Sequence, residues 1–300
     1  MKKSYLMALA VAFTMTACEK PISVEEGNES PSEVTLPDGT VAKTKKFTFT
    51  LKGDFTSEWK PVTRGYLAAD GKDLTDVWVL DYMNGNLVQQ IHQDDNTAED
   101  FGKPVMQLAY GDHHIYFVAS RGQGADLDTD AKTITFSKVL DTFYKDYEVN
   151  VVSTSNGNRA VTLDRCVTRL RLTFTDAVAT NTATIAIAPG TWYYGINYAT
   201  GLPVAAKSSQ ASSINVPVSE LGKAGLQCNL FGFSTADEWS TDVVITSRDA
   251  DGNTIGEATL IAAPFKANRI SEYSGPLFGS EGDMSLSLNT SWDEAFEGTW

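Results

Sequence analysis

The sequence predicts an all-β protein built as two β-sandwich domains. From Lys45 onward, short apolar runs alternate with polar residues at period two, the spacing that puts every second side chain on one face of a pleated strand. Turn residues such as Asn84-Gly85 and Asp251-Gly252 punctuate these runs at short intervals. Helical periodicity never extends beyond a turn or two, and the 300-residue length is enough for two ordinary cores.

Taken in order, the first strand is expected at 47–51, where Phe47, Phe49 and Leu51 alternate with Thr48 and Thr50. Residues 76–82 and 87–91 flank Met83-Asn84-Gly85-Asn86, and an Asn-Gly between two apolar runs predicts a hairpin. Strands follow at 105–110, 114–119, 133–136, 147–153 and 160–163. A helical turn or two fits 137–144, where Val139, Leu140 and Phe143 would share a face. The second half predicts strands at 166–174, 184–188, 214–218, 226–233 and 243–247. Asp251-Gly252 then turns the chain into 255–262, and 285–288 is a last short alternating run. The domain boundary is placed near residue 160, giving domains 44–160 and 161–300.

The N-terminus carries an address. Lys2 and Lys3 precede an apolar run from Tyr5 to Met15, and Ala17 stands directly before Cys18. Residues 1–17 therefore read as a secretory signal, too short to span a membrane as a helix. Met15-Thr16-Ala17-Cys18 resembles a bacterial lipobox, which makes Cys18 the candidate lipidation site and first mature residue. Each buried methylene contributes about 0.8 kcal/mol, so two or three acyl chains hold a protein where one holds it marginally. Residues 18–43, rich in acids, Pro and Ser, read as a flexible tether. Acids soon after an acylated cysteine also resemble the surface-export signal of some Bacteroidales-type lipoproteins.

The net charge of −14 becomes −16 once Lys2 and Lys3 leave with the signal. Such a body repels nucleic-acid phosphates and anionic headgroups, so nucleic acid is not an expected partner. Beyond Cys18 only Cys166 and Cys228 remain; they could form a disulfide in an oxidising envelope or be two buried thiols.

No residue pattern specifies an enzyme or a cofactor. Asp126, Asp128 and Asp130 alternate as calcium-loop ligands do, but Ala131 and Ser137 stand where a Gly and a bidentate Glu are needed; Asp249, Asp251 and Asn253 fail likewise at Thr254 and Leu260. Both read as solvated turns. His113 and His114, adjacent on an extended segment, point to opposite faces and are poorly placed for one metal. Gly122 and Gly124 begin like a phosphate loop but no helix follows, so the pair reads as a turn. Asp293, Glu294 and Glu297 read as a solvated tail. Trp192, Tyr193 and Tyr194 are either an exposed platform on which sugar rings stack or part of a sandwich core.

The segment Val161-Thr162-Leu163-Asp164-Arg165-Cys166-Val167-Thr168-Arg169-Leu170-Arg171-Leu172, the later Ala263-Pro264-Phe265-Lys266-Ala267-Asn268-Arg269-Ile270 with Gly275-Pro276-Leu277-Phe278, and the closing Met284-Ser285-Leu286-Ser287-Leu288 with Trp292 resemble the FimB-type fimbrial anchor subunits and fimbrillin-like lipoproteins of Bacteroidales-type bacteria. The resemblance implies two transthyretin-like β-sandwich domains and a non-enzymatic, lipid-anchored outer-membrane subunit, at the cell surface or in the fimbrium. It implies partners among other fimbrial subunits, joined by strand addition, and surface ligands on host or bacterial cells. The segments with the needed alternation are Phe47, Phe49 and Leu51 on one side and Met284, Leu286 and Leu288 on the other. Stalk subunits of that family are cut after an arginine, and Arg64, which lies where such a cut would fall, is either that processing site or an ordinary loop residue. The alternative function is a surface glycan-binding lipoprotein using Trp192, Tyr193 and Tyr194.

Overall fold

The computed structural model describes residues 32–53, 74–207, 212–279 and 285–288. Residues 1–31 with Cys18, the segment containing Arg64, and Met284 lie outside the described residues. Among the described residues there is no α-helix; the chain is a set of packed sheets, as the alternation predicts.

The N-terminal sheets come first. β2 (Val41–Lys52) pairs on one edge with β1 (Glu33–Thr35, antiparallel) and with β10 (Asn158–Thr162, parallel), and also with β5 (Val105–Ala109, antiparallel). A five-stranded sheet runs β11 (Asp164–Arg165), β9 (Thr142–Val151), β6 (Gly111–Ser120), β3 (Asp76–Met83) and β4 (Asn86–Gln93). The β3–β4 hairpin turns at Asn84 and Gly85, both with positive φ (50° and 79°), the conformation that makes Asn-Gly the preferred pair there.

β3 shows why this five-stranded sheet is central. In Val77-Trp78-Val79-Leu80-Asp81-Tyr82 every residue is buried, which marks a strand covered on both faces. Val77 and Val79 join Phe47, Phe49, Met106, Leu108, Ile115, Phe117 and Val161 in one core against β2, β5 and β10. Trp78, Leu80 and Tyr82 join the other core, which the C-terminal strands complete.

Those strands form three sheets. One is β17 (Leu226–Phe233), β12 (Val167–Phe174), β20 (Ile270–Gly275) and β21 (Ser285–Leu288). The second is β16 (Ser212–Asn215), β13 (Thr184–Pro189), β18 (Trp239–Arg248) and β19 (Thr254–Phe265). The third, β15 (Leu202–Lys207), β14 (Trp192–Asn197), β8 (Thr133–Lys138) and β7 (Gln123–Asp128), takes strands from both sides of residue 160. The second core draws on all three sheets, with Ile134, Leu170, Phe174, Ile187, Trp192, Ile245 and Phe265 among its members.

Two local expectations need correction. Residues 137–144 are not helical: Ser137 and Lys138 end β8, Val139 and Leu140 form the link, and Thr142 opens β9. Pairing of Phe143 with Ala119 in β6 overrides the local apolar spacing. Strand structure also begins before residue 44, since β1 and the start of β2 fall within 18–43. Leu36-Pro37-Asp38-Gly39-Thr40 forms the connecting turn, with Asp38 Oδ1 accepting from the Thr40 amide at 2.9 Å and Gly39 at φ 83°.

The mid-chain passage is held by charge. Arg165 donates from Nε to Asp141 Oδ1 at 2.7 Å, from Nη2 to Asp141 Oδ2 at 3.2 Å, and from Nη1 to Asn268 Oδ1 at 2.8 Å. Arg165 and Asp141 are both buried. One guanidinium thus ties the link before β9 to the turn between β19 and β20. Truncating one partner strands the other charge away from water. Asp141→Ala or Arg165→Ala is therefore expected to destabilise the fold by about 3 to 5 kcal/mol in urea unfolding, whereas replacing both with apolar residues of similar volume is expected to recover most of that loss.

Candidate functional site

For an all-β chain without a predicted catalytic constellation, the surfaces that can recognise a partner through the backbone are strand edges. Two lie at the ends of the described chain. At the N-terminal end β1 is three residues long, exposed throughout, and pairs Glu33, Val34 and Thr35 with Lys43, Ala42 and Val41. The Ser32 carbonyl accepts from the Thr44 amide at 2.7 Å and extends that pairing by one step. At the C-terminal end β21 closes the β12–β20 sheet through four pairs, Ser271 with Leu288 to Ser274 with Ser285. Before it, Asp176 accepts from the Leu277 and Phe278 amides at 3.0 and 2.6 Å, fixing the chain as it leaves β20.

The structure treats the predicted exchange segments differently. Phe47, Phe49 and Leu51 lie in β2, which is hydrogen-bonded to β1, β5 and β10, and Phe47 and Phe49 are fully buried. β2 is thus a structural strand of the N-terminal core, and the strand that lies over its edge is β1. Leu286 and Leu288 lie in the edge strand β21. The signal for β1 was present in the sequence: Pro37-Asp38-Gly39 between Val34 and Val41 is hairpin chemistry.

The sugar-stacking platform is corrected. Trp192 is 1% exposed and Tyr194 8%; only Tyr193 is half-buried. The Trp192 indole donates to the Phe231 carbonyl at 2.8 Å and packs edge-on to Phe265 at 4.9 Å. It lies so close over Gly232 that a Cβ there would meet the indole at 2.5 Å. Rings locked in a core offer no face to a sugar.

The acidic loops are turns. Asp128 accepts from the Asp130 and Ala131 amides, and Asp249 from those of Asp251 and Asn253. Gly122 and Gly124 lie where the chain passes from β6 into β7, and Asp293, Glu294 and Glu297 are outside the described residues. Cys166 and Cys228 are both buried free thiols, each with its pKa raised by burial, Cys228 to about 12.

The histidine pair divides as the alternation requires: His113 is buried and His114 exposed. His113 Nδ1 meets Asp81 Oδ1 at 2.7 Å, and its Nε2 meets the Ala109 carbonyl at 2.8 Å. Two acceptors around one ring require a proton held between His113 and Asp81. Although burial opposes charge on the ring, the Asp81 carboxylate and the Ala109 carbonyl hold the His113 pKa above its ordinary value. Burial raises that of Asp81 in turn.

Two outcomes are expected. The folded pKa of His113 exceeds the unfolded one, so its contribution is fully present below about pH 6.5 and is lost as pH rises through the folded value. Stability measured by urea unfolding should therefore fall as pH rises above about 6.5, and His113→Gln should flatten that slope. Trp192→Ala is expected to cost about 3 to 5 kcal/mol of stability, as a core ring does.

No protein-family model matches the chain, and no curated protein matches it in sequence. Solved structures do match in fold. A candidate polysaccharide-binding protein of Bacteroides thetaiotaomicron superposes with a TM-score of 0.51 at 13% identity, covering 84% of this chain and 98% of that one. A candidate adhesin of Bacteroides ovatus gives a TM-score of 0.50 at 12% identity over 85% and 96%. The fimbrial anchor protein Mfa2 of Porphyromonas gingivalis gives 0.44 at 9% identity over 77% and 90%. Over most of its length this chain therefore shares the all-β sandwich fold of the Bacteroides adhesin-type and polysaccharide-binding-type structures.

Proposed function

We propose that this chain is a non-enzymatic, surface-exposed subunit of a fimbria, anchored in the outer membrane through lipid on Cys18, and serving as the base or an accessory subunit. The observation that carries the reading is the shared fold, which spans almost the whole of two structures described as candidates for adhesion or polysaccharide binding. The lipobox at 15–18 and the resemblance of residues 161–172 and 263–278 to fimbrial anchor subunits support the rest.

In this reading two sandwich units divide just after residue 165, since β1 and β2 begin the N-terminal unit and β10 and β11 still pair with its strands, and the β15-β14-β8-β7 sheet joins the two. Subunits associate by adding a strand at the β20–β21 end, where four residues occupy an edge that a longer donor could cover with more main-chain hydrogen bonds. Arg64 is the position at which a stalk-type subunit would be cut and an anchor would not. The glycan-binding alternative retains support from the polysaccharide-binding description of one structure of this fold, but it requires residues other than the buried Trp192 and Tyr194.

Mass spectrometry of the protein from its native outer membrane tests the proposal. An N-terminus at acylated Cys18, an intact Arg64, and co-purification of a second subunit in a detergent-resistant ladder are expected. An unmodified N-terminus on a protein that associates with no subunit would overturn it.

A further inference from the structure

We infer that His114, Asp146 and Glu148 form a surface binding site for a zinc-type divalent cation. The three side chains come from neighbouring antiparallel strands of the five-stranded sheet. His114 of β6 stands directly opposite Glu148 of β9, and Asp146 stands one step along, opposite Tyr116. Residues at these positions project from the same face of the sheet. One ligand atom from each lies within 4.8 Å of the other two.

The distances leave room for a bridging ion. His114 Nδ1 is 3.6 Å from Glu148 Oε1 and 3.8 Å from Asp146 Oδ1, both beyond a good hydrogen bond. Donors sharing a zinc at about 2.0 to 2.2 Å in tetrahedral array stand about 3.3 to 3.5 Å apart. A shift of a few tenths of an ångström brings both His114 separations to that spacing. The side chains are 41% to 72% exposed, so they have room to make it. Their backbones do not move to do so, because β6 is hydrogen-bonded to β3 on one side and β9 on the other.

Chemistry selects the metal. An imidazolium could neutralise one of the two carboxylates; a divalent cation neutralises both and takes the imidazole lone pair as well. An imidazole with two carboxylates suits zinc and its first-row neighbours, whereas calcium takes six to eight oxygens. The other two histidines are engaged elsewhere: His113 with Asp81 and Ala109, and His92 with Asp76 at 2.9 Å while stacked on Trp78. Three protein ligands leave a further coordination position for water or a donor from another molecule.

The test is isothermal titration of the full chain, untagged, with zinc chloride and separately with calcium chloride. Saturable zinc binding at one site is expected, weakened by at least about tenfold in His114→Ala and in Asp146→Asn/Glu148→Gln, with no calcium binding at that site. His92→Gln should leave the zinc isotherm unchanged. Far-ultraviolet circular dichroism of each variant, expected to match the parent, separates lost ligation from lost folding. Absence of zinc binding by the parent, or an isotherm indifferent to His114→Ala in a folded variant, would overturn the assignment.

Discussion

Two-sided burial of β3, within the β11-β9-β6-β3-β4 sheet, is the constraint on which the rest of the structure depends. A strand buried on both faces has no side for water, so each of its side chains must be apolar or carry its own partner. β3 shows both solutions in consecutive residues. Val79 and Leu80 are apolar and enter opposite cores, Asp81 is charged and buried against His113, and Tyr82 directs its hydroxyl to that of Tyr198 at 2.8 Å. That last contact reaches from the N-terminal sheet to the segment after β14. A buried phenol needs such a partner, and burial together with it drives the Tyr198 pKa upward.

The same logic governs the mid-chain basic run. Arg165, Arg169 and Arg171 lie within twelve residues of mixed apolar and polar sequence, and each has a different solution to burial. Arg165 makes a two-pronged contact with Asp141 and binds Asn268. Arg169 donates to Asn229 Oδ1 at 2.8 Å and stacks over Phe231, and burial lowers its pKa to about 9. Arg171, at the strand's more open end, pairs with Glu272 of the parallel neighbour β20 at 3.2 Å. A buried ion pair contributes little net stability over an apolar substitute, yet it penalises any arrangement that leaves one partner alone. Here that penalty falls on arrangements that move β9 away from the β19–β20 turn.

Legibility followed locality. The strand faces of Phe47 and Phe49, the Asn84-Gly85 turn and the hairpin through Gly252 were readable because period two and turn chemistry act within a few residues. The Ser137 to Tyr144 segment was misread because its i, i+3, i+4 apolar spacing is shared by a strand end, a link and a strand start, and only pairing with Ala119 decides between them. Trp192 could not be assigned to core or platform, since the deciding contacts, Gly232 and Phe265, are 40 and 73 positions away. β1 was missed although Pro37-Asp38-Gly39 announced it, because an acidic, Pro-containing composition outweighed the turn signal. The His114, Asp146 and Glu148 grouping lay beyond sequence reasoning for a simpler reason: strand register is set by the whole sheet, and 32 residues separate its first two members.

Edges complete the argument about what such a fold can do. A sheet protein that associates by strand addition must offer one edge and guard the others, or it aggregates. β7 is guarded by Asp126 and Asp128, and β15 by Pro203 together with Ala205 at φ 57°. β19 carries a register shift against β18 between Thr241 and Val243, with Ala262 at φ 48°, which bends its outer edge away from regular pairing. β21 has none of these devices in its four-residue run: no proline, no charge and no bulge in its pairing with β20. Of these four edges that of β21 is the one without such a device, and the net charge of −14 keeps like surfaces apart elsewhere.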